Sequence, residues 1–557
     1  MTKPTSRKSD STSRFFHSMP LSAIAAAVFA MSACGGGDDD PNAVATLPTV
    51  ADNLSLNPTG TCSMAGIGAS KLTADAAATI LDVSAGTTGS TATDKPYCLV
   101  KVKVDQQINI WVAMPTSAWN GRFRSEGGGV YAGVVGVATD SVKQGFVGVQ
   151  TDTGHAGSPL SGAFGMLSPG VPNTALQTDF AYRSEHLMAV IGKQLVKAYY
   201  GQDPVRSYWY GCSTGGRQGL MMAQRYPDDY DAILAGAPAI HWDRFQSYQI
   251  WPQVVMRQEL GAPMSPAKLA LATQRAVATC DAADGVTDGV IDDPRSCTYD
   301  PTKDTSVTNA SCASGDGTCL STAEATSVQK IWNGARTTAG ALLWPGLERG
   351  TALNAMAGAA PFPIPIEQAR YWVYFDPTWD WTTLTYANYE TFFAKNVQMV
   401  GPLMATEDPD LSKFRKRGGK LIMYHGWADP LIMSEGTTMY WDSVKQAMTT
   451  ANVPLDFAKL YMVPGMGHCS GGAGPNQFGQ SSSGIVAADA QHDVFRALMA
   501  WSERGTEPQS IVATKFTNDV PTQPVLRTRP LCVYPQVARY KGSGNTDDAA
   551  NFACQAP

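Results

Sequence analysis

Two short motifs in this sequence place a residue of reactive type directly beside a cysteine. In the letters GCSTG, Cys212 precedes Ser213, and in the letters PGMGHC, His468 precedes Cys469. GCSTG fits the pattern G-x-S-x-G, in which a serine on a tight turn between a strand and a helix becomes a nucleophile. Such a serine needs a base, and histidine can supply it. The motifs predict acyl-transfer chemistry; the alternative for Ser213 is a helix N-cap at a glycine turn.

A histidine base needs an acid that fixes its tautomer, and Asp429 in the letters YHGWADP is our candidate. The order Ser213, Asp429, His468 is the order in which α/β-hydrolases carry their catalytic triad. The rival base is His425, four residues before Asp429, and His155 in the letters TDTGHAG could line the site. We interpret both as structural histidines.

Acyl transfer also needs hydrogen-bond donors for the negative charge that develops on the carbonyl oxygen. The backbone amide of Thr214, directly after the predicted nucleophile, is one expected donor. The letters RFRSEGGGV follow a predicted strand and resemble the glycine-rich oxyanion loops of esterases. We therefore expect the second amide near Gly128.

The segments around these motifs alternate between strand-like and helix-like patterns. Strands are predicted by the letters INIWVAMP, GFVGVQTD, VRSYWYG, YDAILAGAP, KLIMYHGWAD and FAKLYMVPGMGH, and helices by HLMAVIGKQLVKAYYG and GRQGLMMAQRYP. This alternation indicates an α/β fold with a mainly parallel sheet and flanking helices. A stretch richer in proline, glycine and aromatic residues interrupts it. We predict core over 61–240, an inserted lid over 241–407 and core again over 408–557.

The first residues of the chain have the pattern of an export signal. Basic residues precede an apolar run, LSAIAAAVFAMSA, that is too short to span a bilayer, and small residues then precede Cys34. We predict a signal peptide with a lipobox over 1–34, lipidation of Cys34 and a flexible linker over 35–60. The alternative is an ordinary cleaved signal. Both predict export, and lipidation predicts an outer-membrane lipoprotein facing the periplasm or the exterior.

Ten cysteines remain after Cys34, an even number that predicts five disulfides in an oxidising compartment. The expected pairs are Cys62 with Cys98, Cys280 with Cys297, Cys312 with Cys319, Cys532 with Cys554 and, by elimination, Cys212 with Cys469. Because a disulfide holds its Cα atoms roughly 4.4–6.8 Å apart, the last pair would confine the Cα atoms of Ser213 and His468 to within about 14 Å. These two cysteines are therefore predicted to join the reactive residues, not to act as nucleophiles.

An acidic loop in the predicted lid has the composition of a cation site. The letters CDAADGVTDGVIDDPRSC place within one predicted disulfide the residues Asp281, Asp284, Asp288 and Asp292. Carboxylates and carbonyl oxygens at this spacing suit a hard cation, above all calcium. The ligands that could wrap one ion are Asp281, Asp284 and Asp288 with the carbonyls of Val286 and Val290. The alternative is a solvated acidic turn.

The composition argues against nucleic-acid binding and against a disordered chain. The chain of 557 residues has a formal net charge of −6, which gives no reason to expect nucleic-acid binding. Hydrophobic residues make up 44% and charged residues 16%, as in globular rather than disordered proteins. We expect a small molecule as the partner.

Several motifs together resemble the tannase and feruloyl esterase family. They are GCSTGGRQGL, HGWADP, PGMGHCSGG, CDAADGVTDG and RPLCVYPQVARYKGSG, and the resemblance covers the chain from about Cys62 to its end. It implies an α/β-hydrolase core with a large lid, a structural calcium ion in the lid, and hydrolysis of esters of aromatic acids such as ferulate and gallate. It also implies the roles given above for the triad, the two oxyanion amides and the calcium ligands.

The family also contains a hydrolase of mono(2-hydroxyethyl) terephthalate, which the chain resembles in the same motifs. In that enzyme a lid arginine pairs with the free carboxylate of the substrate, and the nearest candidate here is Arg370 in the letters AGAAPFPIPIEQARYW. Ile432, three residues after Asp429, is expected to line the pocket. A serine esterase for aromatic esters is the leading hypothesis, and a terephthalate-monoester hydrolase is the second. A calcium-stabilised surface lipoprotein that binds without turnover is the alternative from another class.

Overall fold

The computed structural model of the chain describes residues 43–74, 76–91, 93–105, 107–480 and 487–557. Its strands are β1 (Ala78–Thr87), β2 (Pro96–Val104), β3 (Ile108–Pro115), β4 (Arg122–Glu126), β5 (Val147–Thr151), β6 (Met166–Ser168), β7 (Val171–Pro172), β8 (Arg206–Cys212), β9 (Ala232–Gly236), β10 (Ala335–Arg336), β11 (Leu342–Trp344), β12 (Lys420–Gly426), β13 (Ala458–Val463), β14 (Ser510–Phe516), β15 (Val525–Cys532), β16 (Val537–Tyr540) and β17 (Phe552–Gln555). Its α-helices are α1 (Thr139–Lys143), α2 (Thr174–Thr178), α3 (Ser184–Tyr200), α4 (Thr214–Arg225), α5 (Trp242–Tyr248), α6 (Trp251–Leu260), α7 (Pro266–Cys280), α8 (Thr322–Trp332), α9 (Pro363–Gln368), α10 (Tyr386–Met404), α11 (Ser412–Lys416), α12 (Ser434–Thr450) and α13 (Val494–Arg504).

Nine of these strands form one sheet in the order β1-β2-β3-β5-β4-β8-β9-β12-β13. The strands from β5 to β13 in that order run parallel to one another. β1, β2 and β3 extend the sheet as an antiparallel edge. β9 is buried at every position, which is typical of a parallel strand with both faces covered. The predicted α/β class with a mainly parallel sheet is confirmed.

The individual strands and helices also agree with the sequence patterns. The letters INIWVAMP are β3 over its whole length, and the other predicted strand segments contain β5, β9, β12 and β13 and all of β8 except its last residue, Cys212. α3 ends at Gly201, whose φ of 77° is the left-handed conformation that glycine adopts without a Cβ clash. α4 begins directly after Ser213 and ends before Pro227. β8 and α4 thus place the predicted nucleophile, Ser213, where a strand meets a helix.

Residues 241–407, the predicted lid, form α5 to α10 and the β10-β11 pair. The segment begins and ends at one point, because His241 Nδ1 lies 2.6 Å from Glu407 Oε2. Its apolar side chains share a hydrophobic core with Tyr131, which follows β4, and with Ile432, which follows β12. The segment therefore packs against the loops at the ends of the sheet strands.

The predicted flexible linker over 35–60 is corrected in part. Leu56 and Trp119 exchange backbone hydrogen bonds of 2.8 and 2.9 Å, and Val50 is buried. Residues 43–60 are thus bound to the core, because their apolar side chains and backbone groups find partners there. The predicted signal peptide, Cys34 and residues 35–42 lie outside the described residues, and the predictions about them stay predictions.

The structure forms five disulfides, and their pairings are the ones predicted from the sequence. They are Cys62–Cys98, Cys212–Cys469, Cys280–Cys297, Cys312–Cys319 and Cys532–Cys554. A disulfide content of this kind is consistent with export to an oxidising compartment. Within the described ranges, no helix combines the length and the apolar character that a membrane span requires.

Candidate active site

Ser213 lies on a sharp turn between β8 and α4. Its backbone has φ 65° and ψ −125°, a conformation that residues with a side chain rarely adopt. Ser213 occupies the N-cap position of α4, yet its side chain makes no capping hydrogen bond. The turn therefore has the geometry of a nucleophile elbow, and the N-cap alternative is not supported by the contacts.

Glycines make this turn possible because any side chain on them would collide with backbone atoms. A Cβ on Gly211 would lie 2.6 Å from the carbonyl group of Gly215, and a Cβ on Gly216 would lie 2.3 Å from Gly236 O. α4 consequently packs closely against β8 and β9. The close approach holds Ser213 at the carboxyl end of the parallel strands, where α/β folds carry their ligand sites.

Asp429 and His468 meet at the same edge of the sheet. Asp429 follows β12, and His468 follows β13, the neighbouring parallel strand. His468 Nδ1 lies 2.7 Å from Asp429 Oδ2. The other oxygen, Asp429 Oδ1, accepts hydrogen bonds of 2.8 and 3.0 Å from the backbone N–H groups of Leu431 and Ile432. These contacts fix the carboxylate and leave His468 Nε2 as the nitrogen that can exchange a proton with a substrate.

The charges of Asp429 and His468 stabilise each other. Burial alone would raise the pKa of Asp429, but the charge of His468 and the hydrogen bonds from His425 and His468 hold that pKa well below its usual value. Burial likewise would lower the pKa of His468, but the negative charge and hydrogen bond of Asp429 raise it above its ordinary value. The His468 side chain remains 18% exposed, so the proposed base is accessible while the acid is enclosed.

His425, the rival base, is a second histidine on the same carboxylate. Its Nε2 lies 3.0 Å from Asp429 Oδ2 and 3.2 Å from Ile432 O, and its Nδ1 lies 2.8 Å from Thr437 Oγ1. The side chain has no exposed surface. Both ring nitrogens are thus occupied inside the protein, and His425 supports Asp429 and does not face a substrate. The sequence spacing of four residues between His425 and Asp429 was the available signal for this contact.

The Cys212–Cys469 disulfide joins the serine turn to the histidine loop. Its Cα atoms lie 6.1 Å apart. Ser213 and His468 are the covalent neighbours of these cysteines, and each neighbour lies about 3.8 Å along the chain. The disulfide therefore limits how far the two residues can separate, although the cysteines are 257 positions apart in sequence.

The two predicted oxyanion amides differ in availability. Among the described residues, the backbone N–H of Thr214 at the start of α4 has no hydrogen-bond partner. The N–H of Gly128, by contrast, donates to Gln218 Oε1 over 2.9 Å, so the prediction for Gly128 does not agree with the structure. The N–H of Gly129 lacks a partner within the described ranges, and a Cβ on Gly129 would meet no atom within 4 Å. Gly129 is the better second donor.

The other residues named from the sequence have contacts of their own within the protein. Arg370 donates its Nε–H to Trp379 O over 3.1 Å. Ile432 is buried, and its carbonyl contacts His425, so it contributes through its backbone. His155 is buried and stacks on Phe164, and burial lowers its pKa to about 4, so its imidazole is neutral. His155 therefore packs as a structural histidine.

The acidic loop is held by its own backbone and by a C-terminal strand. Asp281 accepts hydrogen bonds of 3.1 and 2.9 Å from the N–H groups of Asp288 and Gly289. The carboxylate of Asp288 pairs with Arg529 over 2.6 Å and with Arg527 over 2.8 Å. β15 thus fixes one of the predicted calcium ligands.

Asp284 and Asp292 form a carboxyl pair in the same loop. Burial first, then the charge and hydrogen bond of Asp284, raise the pKa of Asp292 well above its usual value. Two neighbouring carboxyl groups repel each other when both are ionised, and a divalent cation with oxygen ligands compensates that repulsion. The predicted ligands thus fit a hard cation chemically, with Asp292 as an additional carboxylate.

In the described chain, the group of three potential metal-ligand side chains that lie close together is outside the acidic loop. Donor atoms of Cys312, Asp316 and Cys319 lie within 4.8 Å of one another. Because Cys312 and Cys319 form a disulfide, neither offers a thiolate to a metal.

Comparison with known proteins assigns the chain to a family. The family model described as "Tannase and feruloyl esterase" matches residues 92–365 and 364–555. A probable feruloyl esterase of Arthroderma benhamiae is 35% identical over 463 residues, which cover 80% of this chain and 82% of the relative. A probable feruloyl esterase B-2 of Neosartorya fischeri is 34% identical over 468 residues, covering 82% of this chain and 86% of the relative.

A solved structure also matches this chain, over nearly the whole length of the solved protein. Feruloyl esterase B from Aspergillus oryzae superposes with a TM-score of 0.75 at 29% identity, covering 86% of this chain and 97% of that one. The α/β-hydrolase fold with a large additional segment is therefore shared. The chain belongs to the tannase and feruloyl esterase family of carboxylic ester hydrolases.

Proposed function

We propose that this carboxylic ester hydrolase is a serine esterase that cleaves esters of aromatic acids through an acyl-enzyme. The observation that carries the proposal is the 2.7 Å contact between Asp429 and His468, which the Cys212–Cys469 disulfide links to a serine held in an elbow conformation. The family assignment and the feruloyl esterase names of the relatives support aromatic acids as the acyl part.

The reaction begins when Ser213 Oγ attacks the ester carbonyl and His468 Nε2 takes the serine proton. The carbonyl oxygen becomes negative, and the backbone N–H groups of Thr214 and Gly129 donate to it. His468 then gives the proton to the departing alkoxide, so the alcohol leaves and the acyl group stays on Ser213. Water attacks the acyl-enzyme with His468 again as base, which releases the acid and restores the serine. Asp429 stays ionised throughout and holds the imidazole in the required tautomer.

Calcium is proposed as a structural ion of the acidic loop. The ligands would be the carboxylates of Asp281, Asp284 and Asp288 with the carbonyls of Val286 and Val290. The support is the Asp284–Asp292 carboxyl pair and the fixation of Asp288 by two arginines. The ion would supply charge compensation and stiffness to the loop, and it takes no part in the steps above.

Export followed by lipidation of Cys34 is proposed for the amino terminus. The support is the apolar run that ends in small residues before Cys34, together with the disulfides of the mature part. A lipid on Cys34 would attach the enzyme to a membrane surface.

The first test is a panel of esters with different acids. Purified protein that begins after Cys34 is assayed with methyl ferulate, methyl gallate and mono(2-hydroxyethyl) terephthalate in the presence of calcium. We expect turnover of one or both of the first two, and loss of at least about 10⁴-fold in kcat in Ser213→Ala because the nucleophile is gone. Turnover that persists in a folded Ser213→Ala protein would exclude this serine as nucleophile. Preference for the terephthalate ester would select the second hypothesis, and inertness of the folded protein toward all esters would favour a binding protein.

The pH dependence tests the role of Asp429. The base must be neutral to accept a proton, so kcat/KM rises with pH through the pKa of His468. Because Asp429 raises that pKa above the ordinary 6.5, we expect the midpoint of the rise above pH 6.5. Asp429→Asn removes the negative charge, so the midpoint moves to lower pH and kcat falls by about 10⁴-fold. Asp203→Asn, at an exposed pair with Lys197, is the control and changes neither value. An unchanged midpoint in Asp429→Asn would contradict the assignment.

The disulfide beside the triad can be tested with a matched pair of double variants. Cys212→Ala with Cys469→Ala opens a link across 257 positions, which corresponds to about 5 kcal/mol of lost stability in the loop-entropy model. Activity falls as well, because Ser213 and His468 are no longer held together. Cys312→Ala with Cys319→Ala opens a link across 7 positions and is expected to lower stability by about 2 kcal/mol while activity is retained. Denaturant unfolding and ester hydrolysis are measured for both. Full activity in the first variant would show that the disulfide does not position the triad.

Removal of calcium tests the ion site. Chelation is expected to lower the free energy of unfolding, and calcium at about 100 times its Kd to restore about 2.7 kcal/mol. Asp284→Asn abolishes this calcium effect because it removes a ligand. Asp316→Asn, in an exposed loop of the same segment, preserves it. A stability that is indifferent to chelation and calcium in the parent protein would rule out the structural ion.

A further inference from the structure

A cleft of about 870 Å³ opens beside His468, between the histidine loop and the inserted segment. Its volume lies within the range of small-molecule sites. One wall comes from the ends of β12 and β13 and includes Trp427, Pro430 and Ser470. The opposite wall comes from α7, the acidic loop and the stretch that contains Arg349.

The residues that line this cleft indicate which half of an ester substrate it can bind. Its lining includes His468 but does not include Ser213. In an acyl-enzyme reaction the acyl carbon becomes bonded to the serine oxygen, whereas the departing alcohol oxygen receives a proton from the histidine. A cavity that reaches the histidine and not the serine is therefore placed for the alcohol part of the substrate.

Arg349 is a partly buried cation in the wall of this cleft. Within the described chain, its Nε donates to Tyr299 O over 2.8 Å, and its guanidinium forms no ion pair. Burial lowers the pKa of Arg349 despite the opposing charges of Glu348 and Asp300. Glu348 Oε1 is buried without a hydrogen-bond partner among the described residues, so Glu348 does not pair with Arg349, and burial raises the pKa of Glu348 to about 8. The guanidinium of Arg349 lies 5.5 Å from the centre of the Trp332 ring, and its terminal nitrogens have no hydrogen-bond partner in the described chain, which leaves them for an anion.

The acidic side chain of the lining is Asp281, whose carboxylate is held by the backbone of its own loop. It accepts three backbone hydrogen bonds, from Asp288, Gly289 and Val290, at distances between 2.9 and 3.3 Å. Within the described residues it forms no ion pair with Arg349. The remaining polar groups of the lining include the side chains of Gln274 and Ser470, which can bind uncharged oxygen atoms.

We propose that this cleft binds the alcohol part of the ester and that Arg349 selects alcohols that carry a carboxylate. A planar guanidinium with free terminal nitrogens matches a carboxylate by two parallel hydrogen bonds. This inference rests on the proposed serine esterase function and adds the leaving-group side of its specificity. Arg370, the arginine predicted from the sequence for carboxylate binding, does not line this cleft.

The test compares two esters of the same aromatic acid, which is the one that the panel above shows to be cleaved. In one ester the alcohol is para-(hydroxymethyl)benzoate, and in the other it is para-(hydroxymethyl)benzamide, so the two differ in a carboxylate against a neutral amide. We expect kcat/KM for the carboxylate ester to be at least about tenfold higher, because a hydrogen-bonded charge pair is worth that much or more. The difference is expected mainly in KM.

Substitutions assign the preference to Arg349. In Arg349→Gln the ratio of the two kcat/KM values falls to about one, and in Arg349→Lys it is intermediate, because lysine keeps the charge and loses the planar fork. Arg336→Gln is the matched control: Arg336 is exposed in the same inserted segment and does not line the cleft, so the ratio stays at its parent value. Thermal unfolding of each variant confirms that it is folded.

Three outcomes would overturn the inference. The first is equal kcat/KM for the two esters in the parent protein. The second is a ratio in Arg349→Gln that equals the ratio in Arg336→Gln. The third is loss of activity toward mono(2-hydroxyethyl) terephthalate in Arg349→Gln with the alcohol preference intact, because that substrate carries its carboxylate on the acid and would place Arg349 on the acyl side. Inertness of the folded parent protein toward every ester would instead contradict the proposed function itself, and the inference with it.

Discussion

Asp429 keeps an ionised carboxylate inside the protein, where one of its oxygens contacts the imidazoles of both His425 and His468. Its other oxygen accepts the backbone N–H groups of Leu431 and Ile432. A charge without water is unfavourable unless its hydrogen bonds are satisfied, so these donors are a condition for the carboxylate to exist at this place. The orientation of His468 follows from that condition. So does the conformation of the loop after β12, which must turn two amides back toward the carboxylate.

Covalent and packing constraints, not charge, set the position of Ser213 relative to Asp429 and His468. The elbow needs glycines where α4 approaches β9, because a Cβ on Gly216 would lie 2.3 Å from Gly236 O. The Cys212–Cys469 disulfide then joins the elbow to the histidine loop across the inserted segment. At the base of that segment, Glu407 contacts His241 over 2.6 Å and Arg244 over 2.7 Å. The chain thus leaves and re-enters the core at one point, so a long insertion does not separate the parts of the site.

The features that the sequence predicted are those governed by local pattern or by covalent pairing. Buried strands, the helix that ends at Gly201 and the turn at Ser213 follow from short-range periodicity and from glycine placement. The disulfide pairings follow from an even number of cysteines and their spacing. The order of the nine strands was not predicted, because it depends on contacts between segments distant in the chain.

Prediction and structure differ where the outcome depends on contacts between residues that are distant in sequence. Gly128 and Gly129 are equivalent in the letters EGGGV, and only the hydrogen bond from Gly128 to Gln218, 90 positions away, distinguishes them. The sequence of the predicted linker has no pattern that indicates its contact with Trp119. The role of Arg370 stays a prediction from its place in the sequence, whereas Arg349, which the sequence did not single out, lies in the wall of the cleft beside His468.

The two sides of His468 are built from different parts of the chain, and this division has a consequence for specificity. The groups proposed to transfer protons and to bind the oxyanion all follow strands of the sheet, and the glycines and the disulfide constrain their positions. The wall of the cleft opposite His468 comes from the inserted segment, where Gln274 and Arg349 have no role in the proposed chemistry. Substitutions in that wall can change which alcohol is accepted without moving Ser213, Asp429 or His468. A family with one reaction and several ester substrates is the expected result of such an arrangement, because binding groups and reacting groups can vary independently.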